Sequence, residues 1–371
     1  MKVVCDRASF LDALTMAQSV VATRTPNPAL QCVRLTAEGG RLHIAATDLE
    51  LSLRLDVAQV DVKQEGETLV PADKLVQIVR ASEDSTITLD VSKHVLHLKG
   101  ADSHFKVFGQ DPKNFPALPE PGEKSLACEI PAGSLRRLIT RTLFATAVEN
   151  SRYAINGVLF DRQGRKLRLV ATDGRRLALA RGECSSAAEG EHRCIVPTKA
   201  LNVFARVVDD PEAAVKISIE SNQIRFTIQS GEESTILVSN LVEGSFPPFE
   251  DVIPKDQDKR VTLDAGEFTS AVRRAALLTN EESKGVRMSF ADKKLTLSSR
   301  APEMGEAEIQ VDVADYHGDT IEIGFNPGFL IDALKVIEGT QVLLEMKAPN
   351  KPGVMKLGNE FTYVIMPVSL T

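Results

Sequence analysis

The sequence predicts an α+β protein built from three tandem copies of one domain, each with two helices packed on antiparallel sheet. Two sets of helix starts and a recurring hairpin pattern carry that expectation. The first set is CDRASFLDAL from Cys5, IPAGSLRRLI from Ile130 and LDAGEFTSAV from Leu263. Its first large apolar anchors, Phe10, Leu135 and Phe268, lie 125 and 133 residues apart. The second set is VPADKLVQIVR from Val70, VPTKALNVFAR from Val196 and FNPGFLIDALK from Phe325, spaced 126 and 129 residues. Such a period is far above the roughly 20–50 residues of solenoid repeats and matches a whole domain. The expected domains are 1–120, 128–246 and 247–371. The Pro-rich, charged stretches Pro116–Lys124 and Gly244–Lys259 read as linkers.

Each copy has the same element order. The first helix is amphipathic: Leu135, Leu138, Ile139 and Leu143 recur at helical spacing, as do Phe268, Ala271, Val272, Ala275 and Ala276. Alternating runs then flank short polar turns, at Gly39-Gly40, Gln163-Gly164 and Asp292-Lys293, the pattern of antiparallel hairpins. The second helix follows, with Pro71 and Pro197 expected in its first turn. A further strand pair closes the copy: STITLDVSKHVLHLKG from Ser85, AVKISIESNQIRFTIQS from Ala214 and TQVLLEMKAPNKPGVMKLG from Thr340.

The chain has 371 residues, 43% hydrophobic and 26% charged, with ample material for cores. No run approaches the ~18 apolar residues of a membrane span. The start reaches charge at Asp6 and Arg7, too early for a secretory segment. Five scattered cysteines without C-x-x-C spacing point to reduced thiols and a cytoplasmic location. The net charge of −7 argues, taken alone, against nucleic-acid binding. Its distribution does not. With helices at 7–23, 71–82, 131–147, 197–210, 264–280 and 326–339, the helices hold eleven basic and eight acidic residues, and the rest of the chain carries −10. Arg80, Arg206 and Lys335 fall in the last turns of the second helices, where the helix dipole also favours a cation by about 0.3–1 kcal/mol. Arg137 and Arg141 are like charges at i, i+4, which costs roughly 0.2–0.5 kcal/mol. A pair kept against that cost suggests an anionic partner. Scattered single cations suit phosphate contacts, which carry no base sequence information.

SRYAINGVLF from Ser151, VATDGRRLALA from Val170, LVEGSFPPF from Leu241, TNEESKGVRM from Thr279 and YVIMPVSL from Tyr363, in this order, closely resemble the bacterial DNA polymerase III beta subunits, the sliding clamps. The resemblance runs the full length. It implies a head-to-tail homodimer forming a six-domain ring, with helices lining the hole and sheets outside. Such a ring encircles double-stranded DNA without regard to sequence, is opened by a clamp loader, and tethers the replicative polymerase and repair proteins. It would need no cofactor and perform no catalysis. Only the helix-lined hole would face DNA, so an acidic outer surface is no obstacle.

The resemblance also implies sites. The partner-peptide pocket maps to Ile155, Thr172, Gly174, Arg175, Arg176, Leu177, Pro247, Val252, Val364, Met366, Pro367, Val368 and Leu370, an apolar set with a few orienting polar groups. ATDLEL from Ala46 and ATDGRRLAL from Ala171 align at an interval of 125, but only the second carries Gly-Arg-Arg. That divergence marks a site particular to the second copy, whereas Asp48 and Asp173, kept in both, suit a turn. DNA-facing positions are Arg24, Arg80, Arg137, Arg141, Tyr153, Lys199, Arg206, Arg274 and Lys335. The dimer seam maps to Phe105 and Val107 on one face and Leu277 and Leu278 on the other.

Two other classes compete. An enzyme would be expected to show a phosphate-binding loop, a dinucleotide fingerprint, a nucleophile elbow or H-E-x-x-H, and the sequence has none of these. His94 and His97, on one expected strand, would point to opposite faces and so hold no metal together. A non-catalytic scaffold that binds only proteins would not need matched cations on its helices.

Overall fold

The structure is a computed structural model that describes residues 1–119, 126–148, 154–279, 285–291, 293–313, 315–337, 339 and 341–369. Tyr153 and Leu370 lie outside the described residues. Among these residues six α-helices form: α1 Arg7–Gln18, α2 Ala72–Ala81, α3 Ala132–Leu143, α4 Thr198–Val207, α5 Ala265–Ala276 and α6 Pro327–Leu334. All are shorter than the sequence windows. The anchors Phe10, Leu135 and Phe268 are fully buried. Asp6 caps α1 by accepting from the Ser9 amide at 2.8 Å, and Asp264 caps α5 by accepting from the Glu267 amide at 2.8 Å. Pro71 and Pro197 sit one residue before α2 and α4 rather than in their first turns. Both still end a sheet strand, and proline's fixed φ lets the chain turn into the helix there.

Two compact units are present. The first comprises Met1–Arg136, Cys184–His192 and Lys199–Leu241. It holds a five-stranded sheet in the order Val60–Gln64, Lys2–Asp6, Thr86–Ser92, Val95–Lys99, His104–Phe108. It also holds a nine-stranded sheet. Four of those strands, Gly66–Pro71, Cys32–Glu38, Arg41–Thr47 and Leu51–Asp56, come from the first repeat. The other five, Glu233–Asn240, Gln223–Ser230, Ala214–Ile219, Leu126–Pro131 and Ser186–Ala187, come from the second. The join is antiparallel, with Leu53 opposite Leu237.

The second unit comprises Arg137–Glu183, Arg193–Thr198 and Val242–Thr371. Its nine-stranded sheet joins Glu191–Pro197, Gly157–Gln163, Lys166–Thr172 and Arg176–Glu183 to Phe361–Ile365, Gly353–Leu357, Gln341–Met346, Lys259–Asp264 and Tyr316–His317. Ala178 stands opposite Tyr363 at that join. A four-stranded sheet remains, in the order Gly305–Asp312, Lys294–Ala301, Val286–Ala291, Ile321–Phe325. Each repeat therefore gives strands to two different sheets. The sequence period does not reveal this, because strand pairing between distant segments leaves no local pattern.

The hairpin turns need left-handed backbone. Gly39 and Gly40 supply it with φ of 56° and 75°. Lys93 and His94 adopt the same region without glycine, φ 49° and 62°. His94 therefore lies in the turn, not on the strand, and the argument from opposite strand faces does not apply to it. His97 instead stacks on His104 of the neighbouring strand, with ring centroids 5.2 Å apart.

Candidate functional site

A cleft of about 210 Å³ opens in the second unit beside the join of Arg176–Glu183 with Phe361–Ile365. Ile155, Thr172, Gly174, Arg175, Arg176, Leu177, Pro247, Val252, Val364 and Met366 line it, together with Phe249. The sequence reading missed Phe249, although the LVEGSFPPF motif ends on it. Its ring is fully buried, with Arg168 and Arg193 at 5.4 and 5.8 Å from its centroid. Pro367 and Val368 do not line the cleft. The Val368 amide instead donates to Gly324 O at 2.9 Å, which takes the chain away from it. Beneath the cleft lies an apolar cluster that includes Leu159, Val170, Leu177, Leu179, Phe249 and Val364.

One rim is a tight turn. The Thr172 hydroxyl donates to Arg176 O at 2.7 Å and accepts from the Gly174 amide at 3.1 Å. Asp173 accepts from the Arg175 and Arg176 amides at 2.9 and 3.1 Å. Gly174 has φ 88°, and a Cβ there would meet nothing within 4 Å, so the backbone conformation is what calls for glycine. Asp48 makes the same turn in the first unit, accepting from the Glu50 and Leu51 amides at 3.0 and 2.7 Å.

Arg175 and Arg176 do different work. Arg175 is exposed at the rim. Arg176 is half-buried and donates to Asp173 at 3.0 Å, Asp332 at 2.9 Å and Phe144 O at 2.8 Å, with Phe329 stacked 4.3 Å from its guanidinium. Burial works against its charge, but the bonds to Asp332 and Tyr363 and the nearby Asp173 carboxylate outweigh it and raise its pKa. The residue fixes the turn and α6 in place, leaving Arg175 as the cation open to a ligand.

The cations expected to face DNA separate in the same way. Arg24, Arg80, Arg137, Arg206, Arg274 and Lys335 are exposed. Lys335 caps α6 one residue past its end, 3.4 Å from Asp332. Lys199 is exposed but ion-paired with Asp48. Arg141 departs from the DNA-facing expectation. It is 4% exposed, with Nη1 3.0 Å from Glu360. It turns inward because that carboxylate compensates it, so it is no free partner to Arg137.

The seam residues also divide. Phe105 and Val107 share one face of the edge strand His104–Phe108, opposite the buried Leu98 and Leu96; Val107 is only 7% exposed there, whereas Phe105 stays 40% exposed. Phe108, which the sequence reading did not single out, is 76% exposed. Leu277 caps α5 and is 76% exposed. Leu278 is half-buried, and its Cδ1 lies 3.8 Å from where a Cβ on Gly305 would stand, at the start of the other edge strand.

Among the described residues no group of three or more His, Cys, Asp and Glu is placed to hold a metal, and no helix is long and apolar enough to cross a membrane.

Family models for the N-terminal, central and C-terminal domains of the DNA polymerase III beta subunit match residues 1–119, 129–248 and 250–369. The chain belongs to the DNA polymerase III beta subunit family. The beta sliding clamp of Pseudomonas putida is 37% identical over 367 residues, covering 98% of each chain. That of Escherichia coli K12 is 31% identical over 373 residues, covering 100% of each. The crystal structure of the DNA polymerase III subunit beta from Pseudomonas aeruginosa superposes with a TM-score of 0.89 at 35% identity, covering 100% of both chains. The relatives thus share the whole architecture.

The two adjacent arginines should separate in stability. Arg176→Met strands two carboxylates and should cost about 2–4 kcal/mol, below the full loss of a buried pair because Asp332 is partly solvated. Arg175→Ala should change stability by less than about 0.5 kcal/mol. Equal urea midpoints for the two variants would contradict these roles.

Proposed function

We propose that the chain is the subunit of a DNA sliding clamp. Two copies pair head to tail into a ring of six repeats that encloses duplex DNA and tethers the replicative polymerase, the clamp loader and repair proteins. The clamp makes and breaks no covalent bond. We assign the repeats to 1–120, 128–246 and 247–371. The protein works in the cytoplasm, a reading supported by five buried cysteines, of which Cys5 and Cys194 are pushed up to about 12 by burial.

The observation that carries closure is the pair of incomplete sheets. Among the described residues there are two nine-stranded sheets, each four strands from one repeat joined to five from the next, and a five-stranded and a four-stranded sheet besides. One edge of each of the last two, His104–Phe108 in the five-stranded sheet and Gly305–Asp312 in the four-stranded, is the counterpart of a strand that pairs at the two joins. Pairing these edges across two copies completes both sheets. Because the two edges differ, the contact is head to tail, and two such contacts between two copies close a ring. Phe105, Phe108, Leu277 and Leu278 flank those edges and supply apolar area.

Arg24, Arg80, Arg137, Arg206, Arg274 and Lys335 fit phosphate contacts that hold DNA loosely enough to slide. Lys199 and Tyr153 complete that set in the family resemblance. The cleft of the second unit fits a short peptide. Leu177, Val364, Met366 and Phe249 give an apolar slot, and Arg175 gives one cation to orient it.

Three measurements test this reading. Clamp loaded on a nicked circle should be retained until the circle is cut and then be lost; retention on the linear product with free ends would refute enclosure. Leu277→Asp should shift the sedimenting species from dimer to monomer with the fold intact by circular dichroism, and an unchanged dimer would remove Leu277 from the seam. Met366→Glu should keep the dimer but weaken an apolar polymerase-tail peptide about tenfold or more, the scale of a lost buried apolar contact. Unaltered peptide affinity would place the docking site elsewhere.

A further inference from the structure

The first unit carries a second cleft, of about 360 Å³, that the proposed clamp function does not use. Arg34, Arg54 and Arg225 converge on it over Leu118, Ile236 and Val238. Arg225 is 7% exposed; its Nη2 donates to Pro119 O at 3.0 Å, and its buried Nε has no hydrogen-bond partner among the described residues. The Nε of Arg34 is likewise buried and unpartnered, and its guanidinium lies 4.9 Å from the centroid of the Phe115 ring. Glu38 stands 3.7 Å from Arg54. Among the described residues no carboxylate makes an ion pair with Arg34 or Arg225. Burial pushes the Arg225 pKa down, an effect only partly offset by Glu220.

The repeat shows that this chemistry is specific to the place. Arg34, Ser52 and Arg54 lie 125 residues before Leu159, Leu177 and Leu179, which belong to the apolar cluster under the slot of the second unit. Ser52 pairs with Val238 as Leu177 pairs with Val364, and Arg225 occupies the place of Val354 opposite that valine. Three apolar positions at one join are thus arginines at the other. Burying the Arg34 and Arg225 Nε donors with no ion-paired carboxylate among the described residues is costly, and planar guanidinium donors match an oxyanion.

We propose that this cleft is an oxyanion-binding site, taking a carboxylate or phosphate group carried on an apolar body. Titration calorimetry on the whole chain at low ionic strength, with inorganic phosphate and separately with glutarate, tests it. One saturable site per chain is expected, weakened at least about tenfold by Arg225→Met, as for loss of a charged hydrogen bond. Arg34→Gln should weaken it as well and serves if Arg225→Met fails to fold, while Arg175→Ala should bind as the parent does. Tighter phosphate assigns the site to phosphate groups and tighter glutarate to acidic side chains, and either supports the proposal. Absence of saturation by either anion up to on the order of 10 mM, or affinity unchanged in both arginine variants, would overturn it. So would binding that emerges only in a Glu120→Gln, Glu123→Gln variant, since the chain's own carboxylates would then be the occupant.

Discussion

Unpaired strand edges govern this molecule. A strand at the end of a sheet leaves a row of N–H and C=O groups without partners, and the first and second repeats meet that constraint by borrowing strands from the next. Leu51–Asp56 takes Glu233–Asn240, and Arg176–Glu183 takes Phe361–Ile365. The rest is arranged around those joins. The Pro-rich connecting segments run beside them, Ala117–Pro119 at one and Pro247–Val252 at the other, and a cleft opens at each. His104–Phe108 and Gly305–Asp312 are the edges the proposed dimer would satisfy by the same interaction.

Because the joins are copies of one another, their differences are informative. A Thr-Asp turn borders each join, at Thr47-Asp48 and Thr172-Asp173. In the first copy Leu49 holds the left-handed position at φ 80°, at a steric cost of about 1–2 kcal/mol. In the second copy Gly174 holds it without that cost and leaves the rim open. The walls differ too: leucines under the slot of the second unit, arginines around the cleft of the first. One backbone scaffold thus offers two recognition chemistries, apolar and cationic.

The cations show why residue type alone does not define a role. Arg137 and Arg141 are neighbours on one helix, and their like charges suggested a shared anionic partner. Glu360, over two hundred residues away, pairs with the buried Arg141 from the surface, while Arg137 is exposed. Arg175 and Arg176 divide likewise, because Asp173 and Asp332 claim only the second. Val107 and Phe108 are adjacent apolar residues whose exposure is set by which face of the edge strand each occupies.

The sequence by itself determined the threefold period, the amphipathic helices, the hairpins and their glycine turns, because these are local patterns that neighbouring residues impose on the backbone. It also marked most of the cleft lining through the family motifs and the Gly-Arg-Arg departure. The tertiary structure alone decided which strands share a sheet, that Phe249 forms part of the cleft wall, that Arg141 is compensated, and that Arg34, Arg54 and Arg225 meet. Those outcomes depend on contacts between segments tens to hundreds of residues apart, and only the closing of the sheets brings such segments together.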